Sequence, residues 1–213
     1  MPSITATHHY VGILLAAGEG LRYRAMADSP TEHAASAYAA HKLLARLPDG
    51  RCVGQASAQT LLSVLPETVA VVATDPPELP RLLSESGCDI LTVSSAPRGM
   101  GISLAAAARR LLGGSHPDGH VPGCVVALAD MPWLHAGTIK NLLRHAGYDR
   151  IVVPVHRGQR GHPVIFGARF LPELAELNGD TGARALLSRH GALEIDCDDS
   201  GILRDVDVPA DLA

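Results

Sequence analysis

The chain has 213 residues, a net charge of -4, 46% hydrophobic residues and only 3% aromatic ones. That is enough apolar material for a sizeable core built on Leu, Val, Ile and Ala, in one domain spanning residues 1–213. No basic block supports a broad nucleic-acid face, no apolar run reaches the ~18 residues of a membrane span, and the first ten residues lack the plan of a signal peptide.

Short apolar runs recur along the chain. Val11–Leu15 is the first expected strand, and Val69–Ala73, Ile90–Val93, Val125–Leu128 and Ile151–Val155 follow. None alternates with polar residues, as expected of strands covered on both faces. Helix-length segments at Glu78–Ser86, Ser103–Leu112 and His135–His145 lie between them. This rhythm predicts parallel strands with right-handed crossovers in a three-layer α/β/α sandwich. Residues 161–170 read as a strand leading into a helix. Residues 192–209 read as two short strands around a turn at Asp199–Gly201, which makes the sheet mixed. Cys52, Cys88, Cys124 and Cys197 stand far apart with no CxxC spacing, so they read as free thiols of a reducing cytoplasm.

Open parallel sheets bind ligands at the carboxyl ends of their strands, and each of those ends carries glycine or an ionisable residue here. After the first strand, "LAAGEGLR" places Leu15, Ala16, Ala17, Gly18 and Gly20 ahead of Arg22. Glycines let backbone N–H groups approach an anion, and an arginine can clamp phosphate oxygens. It is not a dinucleotide fingerprint, because Tyr23 stands where the third glycine belongs, and it is not a Walker A loop. A plain βα turn remains the alternative. "RGMGIS" brings Gly99, Gly101 and Ser103 to a helix start, read either as a cap or as close approach to a base or ribose. Asp130 follows a buried strand, where it is either the cap of the next helix or a magnesium ligand. "RGQRGHP" supplies Arg157, Arg160, Gly161, His162 and Pro163, a set suited to an anionic second substrate. Asp180 and Thr181 are poised to cap a helix whose first turn holds Arg184, or to contact phosphate or pterin. Asp205 and Asp207 alternate on an expected short strand and are read as facing opposite ways, with Pro209 opening a last helix.

Taken together these loops resemble the MobA-like NTP transferases, and within them most closely the molybdenum cofactor cytidylyltransferases. The resemblance is carried by Leu15-Ala16-Ala17-Gly18 with Gly20 and Arg22, then Gly99-Met100-Gly101-Ile102-Ser103-Leu104, then Asp130-Met131-Pro132. It continues through Gly161-His162-Pro163, Gly179-Asp180-Thr181-Gly182-Ala183-Arg184 and Asp205-Val206-Asp207-Val208-Pro209. The family lysine closely follows the arginine, whereas here it is Lys42, so residues 23–40 read as an insertion that returns Lys42 to the first loop. The resemblance implies a Rossmann-like nucleotidyltransferase that passes CMP from CTP, or another NTP, to the phosphate of a molybdopterin-type acceptor and releases pyrophosphate. It implies Mg2+ held by Asp130 and Asp207, and charge neutralisation by Arg22 and Lys42. Nucleotide would be held by Leu15 to Gly20 with Gly99, Gly101 and Ser103, and acceptor by Arg160, Gly161, His162, Pro163, Asp180 and Arg184. It also allows a molybdoenzyme that receives the cofactor as a partner. Two readings stand beside it: a transferase of the same fold for another phosphorylated acceptor, and a non-catalytic cofactor-binding or insertion protein.

Overall fold

The computed structural model of the chain describes residues 9–18, 20, 23, 41–94, 99–116, 120–179 and 182–212. Arg22, Asp180, Thr181 and residues 24–40 of the expected insertion lie outside the described residues.

The five expected core strands form, each with slightly wider bounds: β1 Tyr10–Ala16, β2 Thr68–Ala73, β3 Asp89–Val93, β4 Gly123–Leu128 and β5 Ile151–His156. The short β6 Gln159–Arg160, β7 Val164–Phe166 and β8 Leu193–Asp196 complete an eight-stranded sheet in the order β3-β2-β1-β4-β7-β5-β6, with β8 also on β5. β1 to β4 pair in parallel, and so do β5 and β8. β7 is inserted antiparallel between β4 and β5, and β6 folds back on β5 as a hairpin. The mixed α/β/α sheet is therefore the one expected.

Successive residues of a strand point to opposite faces, and β1 shows how the two cores divide. Leu14 and Ala16 join a cluster with Val53, Leu61, Leu83, Ile139 and Leu142. Val11 and Ile13 join the other, with Leu104, Leu111, Leu171, Leu174 and Leu186. One layer thus holds α1 Val53–Leu62, α2 Glu78–Glu85 and α4 Ala136–Leu143. The opposite layer holds α3 Met100–Gly113, α5 Leu171–Ala175 and α6 Arg184–His190. Each fully buried Leu or Ile contributes about 1.5–3 kcal/mol. Tyr23, in the place of a fingerprint glycine, is 4% exposed and belongs to the first core. The four cysteines are free, and burial pushes the thiols of Cys88 and Cys124 up to about 11 and about 12. These thiols act as apolar filler rather than nucleophiles. No helix among the described residues is long and apolar enough to cross a membrane.

The pattern reading missed α1. Its alanine, serine and glutamine content gives only a weak helical stripe. The segment after Lys42 is a 3-10 turn, Lys42–Leu44, rather than a strand, and only an isolated bridge between Arg46 and Cys52 follows. Near the end one strand forms, not two. Residues 200–203 make a 3-10 turn, and 204–208 run as an extended strap without strand pairing.

Two carboxylates fasten this C-terminal region. Asp199, 3% exposed, accepts hydrogen bonds from the amides of His135 (3.1 Å) and Gly201 (2.9 Å) and from the Thr138 hydroxyl (2.6 Å). It therefore caps α4 from a distant part of the chain. Asp211, in the 3-10 turn Pro209–Leu212, accepts from the amides of Asp207 and Val208, both at 2.8 Å. Val206, fully buried, donates its amide to the Asp130 carbonyl at 2.8 Å. The Arg204 guanidinium lies 3.6 Å over the Trp133 ring.

Asp199→Ala leaves two amides, that of Gly201 buried, and a buried hydroxyl without their acceptor, and the expected loss is about 2–4 kcal/mol. A urea titration reads it as a lower midpoint at unchanged slope; an unchanged midpoint would show that the α4 cap carries no stability. For Asp211, the hydrogen bonds from Val208 and Asp207 hold its carboxyl below the usual value. Its fastening is therefore present at neutral pH and is lost as pH falls through that lowered value. In hydrogen exchange, Asp211→Ala is expected to deprotect the amides of Asp207 and Val208 and to leave those of β1 unchanged.

Candidate active site

The chain runs from β1 out to β2 and β3 on one side, then crosses to place β4 on the other side of β1. Such a switch in strand order opens a crevice at the carboxyl ends of the two central strands. The loops after β1 and β4 meet there. The Ala129 amide donates to the Leu15 carbonyl at 3.1 Å, and the buried Ser57 hydroxyl of α1 donates to the Ala129 carbonyl at 2.8 Å. With the Val206 amide on the Asp130 carbonyl, the Asp130 loop is tied to β1, to α1 and to the strap.

Three carboxylates converge at this crevice. Oxygens of Asp130, Asp205 and Asp207 all lie within 4.8 Å of one another. Asp205 and Asp207 therefore face the same way, against the expectation from sequence. Residues two apart on an extended segment share a face, and the strap turns that face to Asp130. Asp130 does not cap the next helix, since Asp199 does so. The Lys42 ammonium donates to Asp130 Oδ2 at 2.6 Å and to Asp207 Oδ1 at 3.2 Å. The other Asp130 oxygen, Oδ1, is buried and has no hydrogen-bond partner among the described residues.

The charges answer to one another. Burial pulls the Lys42 ammonium down, but Asp130 and Asp207 together outweigh it and hold it above its ordinary value. Burial raises the Asp205 carboxyl, and the charges of Asp130 and Asp207 raise it further. Burial brings the His162 imidazole down to about 4 against the opposing pull of Asp130, so the ring is neutral at physiological pH. Its Nδ1 is buried without a partner among the described residues. Three carboxylates, with the buried Asp130 Oδ1 unbonded among the described residues, form a donor set that fits a divalent, oxygen-preferring cation.

The remaining sequence-selected residues divide clearly. Gly18 is exposed with open space around it, and Gly20 adopts φ 59, with the Lys42 stem alongside it: a Cβ there would meet Lys42 Cγ at 3.3 Å. The first loop, Lys42 and the acids are thus contiguous, while Arg22 lies outside the described residues. Ala16 is buried, and Leu15 and Ala17 are half-buried at the end of β1. Gly99 is the N-cap residue of α3 at φ 151 and offers no side chain to cap it, and Ser103 is buried in the first turn. A Cβ on Gly101 would lie 2.8 Å from the carbonyl oxygens of both Asn178 and Gly179, so this glycine admits another loop of the protein. Gly161 likewise admits the 200–203 turn, with Ile202 O only 2.2 Å from a Cβ position, and the His162 amide donates to that same carbonyl. Pro163 is buried. Arg160 is turned outward into an ion pair with Glu194 of β8 at 2.8 Å, and Arg184 is exposed as the first residue of α6. Asp205 is the member that sequence reasoning left out of the acidic set; the period of two on "DVD" was the signal for it.

Comparison with known proteins accords with this geometry. Rv0371c from Mycobacterium tuberculosis superposes with a TM-score of 0.74 at 25% identity, over 96% of this chain and 95% of that one. Rv0371c in complex with manganese gives 0.70 at 23% identity, over 95% of each chain. A nucleotidyl transferase from Methanothermobacter thermautotrophicus shares the fold with a TM-score of 0.75 at 21% identity, over 95% of this chain and 94% of that one. A search of curated protein sequences returns no match. The family model of the MobA-like NTP transferase domain matches residues 12–194, from β1 through the acidic crevice of β4 to β8. By that match over most of its length, the chain belongs to the MobA-like NTP transferases, a family of nucleotidyltransferases.

Proposed function

We propose that the protein transfers CMP from CTP to the phosphate of a molybdenum-bearing pterin and releases pyrophosphate. The observation that carries this reading is the convergence of Lys42, Asp130, Asp205 and Asp207 beside the glycine loop of β1. A nucleoside triphosphate needs that combination: bare backbone for close approach, a cation for its phosphates and carboxylates for a metal. CTP and the pterin acceptor follow from the resemblance of the "LAAG", "GHP" and "GDTGAR" motifs to the cytidylyltransferases.

Asp130 and Asp207, with Asp205 beside them, are the residues placed to hold Mg2+. The manganese complex of Rv0371c supports a divalent cation in this fold. Such an ion supplies charge neutralisation between phosphate oxygens. The protein's own part is positioning. Ser57, Leu15 and Val206 fix the Asp130 loop through its backbone, and Asp211 fixes the turn that presents Asp207. Lys42 neutralises charge gathering on the leaving pyrophosphate, and Arg22 does so on the strength of its motif alone. Phosphoryl chemistry of this kind is accelerated by orientation and charge placement rather than by a covalent intermediate on the protein. His162, neutral beside Asp130, offers the acceptor a hydrogen-bonding group rather than a charge.

Lys42 beside Asp130 favours a catalytic role over a purely cofactor-carrying one, since the latter reading rested on a displaced lysine. A transferase for a different phosphorylated acceptor uses the same four residues and differs only in the acceptor face.

Pyrophosphate release, measured across the four NTPs with molybdenum-bearing pterin and with sugar phosphates, is the deciding assay. The expected result is metal-dependent release with CTP and the pterin, lowered about 100-fold or more in kcat by Asp130→Asn. Release with a sugar phosphate instead would move the assignment to that acceptor, and no release with any pair would refute nucleotidyl transfer.

A further inference from the structure

The Lys42 ammonium stands where a metal ion's charge belongs. It bonds Asp130 Oδ2 and Asp207 Oδ1, one oxygen on each of two carboxylates of the cluster that would receive a cation. A magnesium ion sits about 2.0–2.1 Å from the carboxylate oxygens that hold it. Even on the other oxygens of these carboxylates it would lie close to the ammonium, two like charges that oppose each other. The lysine cannot simply leave either. Without it, carboxylate oxygens within 4.8 Å of one another would lose the ammonium that bridges two of them.

A triphosphate resolves both conflicts at once. It brings negative charge that receives the ammonium and, as its metal complex, a cation that replaces it. The geometry allows the exchange with little rearrangement. The Lys42 stem runs along Gly20, which carries no side chain of its own, so rotation about the stem torsions takes the ammonium from the acids toward the glycine-loop side. Lys42 itself is anchored by the 3-10 turn Lys42–Leu44, whose Leu43 is buried in the core.

We propose that Lys42 is the resident counter-ion of the acidic site and excludes bare metal ions, so that the metal enters with its nucleotide and the ammonium transfers to the phosphates. This rests on the reading of the three carboxylates as the metal site. The lysine thereby acts as a selectivity device as well as a charge on the leaving group: the site discriminates a metal–nucleotide complex from the free ion.

The test is a titration of metal-free, full-length protein with Mn2+ alone, with free ion followed by electron paramagnetic resonance. Lys42→Met and Lys42→Gln, which keep the stem and remove the charge, are expected to bind Mn2+ about tenfold or more tightly than the parent protein. Lys42→Arg, which keeps the charge, is expected to stay within about threefold of the parent. Asp130→Asn placed in the Lys42→Met background is expected to abolish the gained affinity. If both neutral variants bind Mn2+ no more tightly than the parent while Asp130→Asn still weakens binding, the counter-ion proposal fails and the metal site stands. If Asp130→Asn leaves Mn2+ binding unchanged in the tight variant, the carboxylates are not the metal site and both readings fall.

Discussion

The gathering of three carboxylates around one ammonium is the constraint on which the site depends. Placing three like charges within 4.8 Å of one another is unfavourable unless something offsets it. Lys42 offsets part of it through two close contacts, and the exposure of Asp205 to solvent offsets more. A half-buried ion cluster of this kind adds little net stability, because desolvation consumes most of the Coulombic gain. It persists because the surrounding backbone leaves it no choice. The Asp130 loop is tied to β1, to Ser57 of α1 and to Val206 of the strap, and Asp211 closes the turn behind Asp207. Stability built elsewhere in the two apolar cores therefore maintains an electrostatically strained crevice, a distribution expected of a functional site.

The glycine-bearing motifs serve two purposes that look alike in one dimension. Gly18 and Gly20 border open space and the lysine, as a ligand-facing loop requires. Gly101 and Gly161 instead let protein pack on protein: the α3 start against the 178–179 loop, and the segment before β7 against the 200–203 turn. Their effect on the crevice is indirect. The contact at Gly161 brings the His162 backbone onto the Ile202 carbonyl and encloses the ring close enough to Asp130 to feel its charge. A motif residue can thus be indispensable for the architecture of a site without meeting its ligand.

The strand order links these local facts to the fold. Because β4 crosses to the far side of β1, the first and fourth strand ends become neighbours, and residues 15–20 meet residues 129–130. The chain then reaches β5, and β7 turns back antiparallel into the gap between β4 and β5, so that β8 runs parallel to β5 and the strap that follows returns to the same edge. The Lys42–Asp207 pair, 165 positions apart, is the product of that path.

The sequence by itself determined the five core strands, the helices Glu78–Glu85, Met100–Gly113 and Ala136–Leu143, and the α/β/α class. Apolar runs and helical spacing are local signals that burial on both faces of a sheet leaves unambiguous. It also singled out Gly20 and Asp130, because charged and glycine residues at strand ends stand out against apolar runs, while the family resemblance added Lys42 and the metal role of Asp207. It misjudged α1, whose small polar residues carry too weak a stripe, and it read a strand at 204–208 where the chain makes tertiary tethers instead. Only the tertiary structure decided that Asp205 joins Asp130 and Asp207, that Arg160 turns away to Glu194, and that Lys42 lies between two carboxylates. Those outcomes depend on contacts between segments far apart in the chain, and no local periodicity encodes the distance between two side chains that meet only after the sheet has formed.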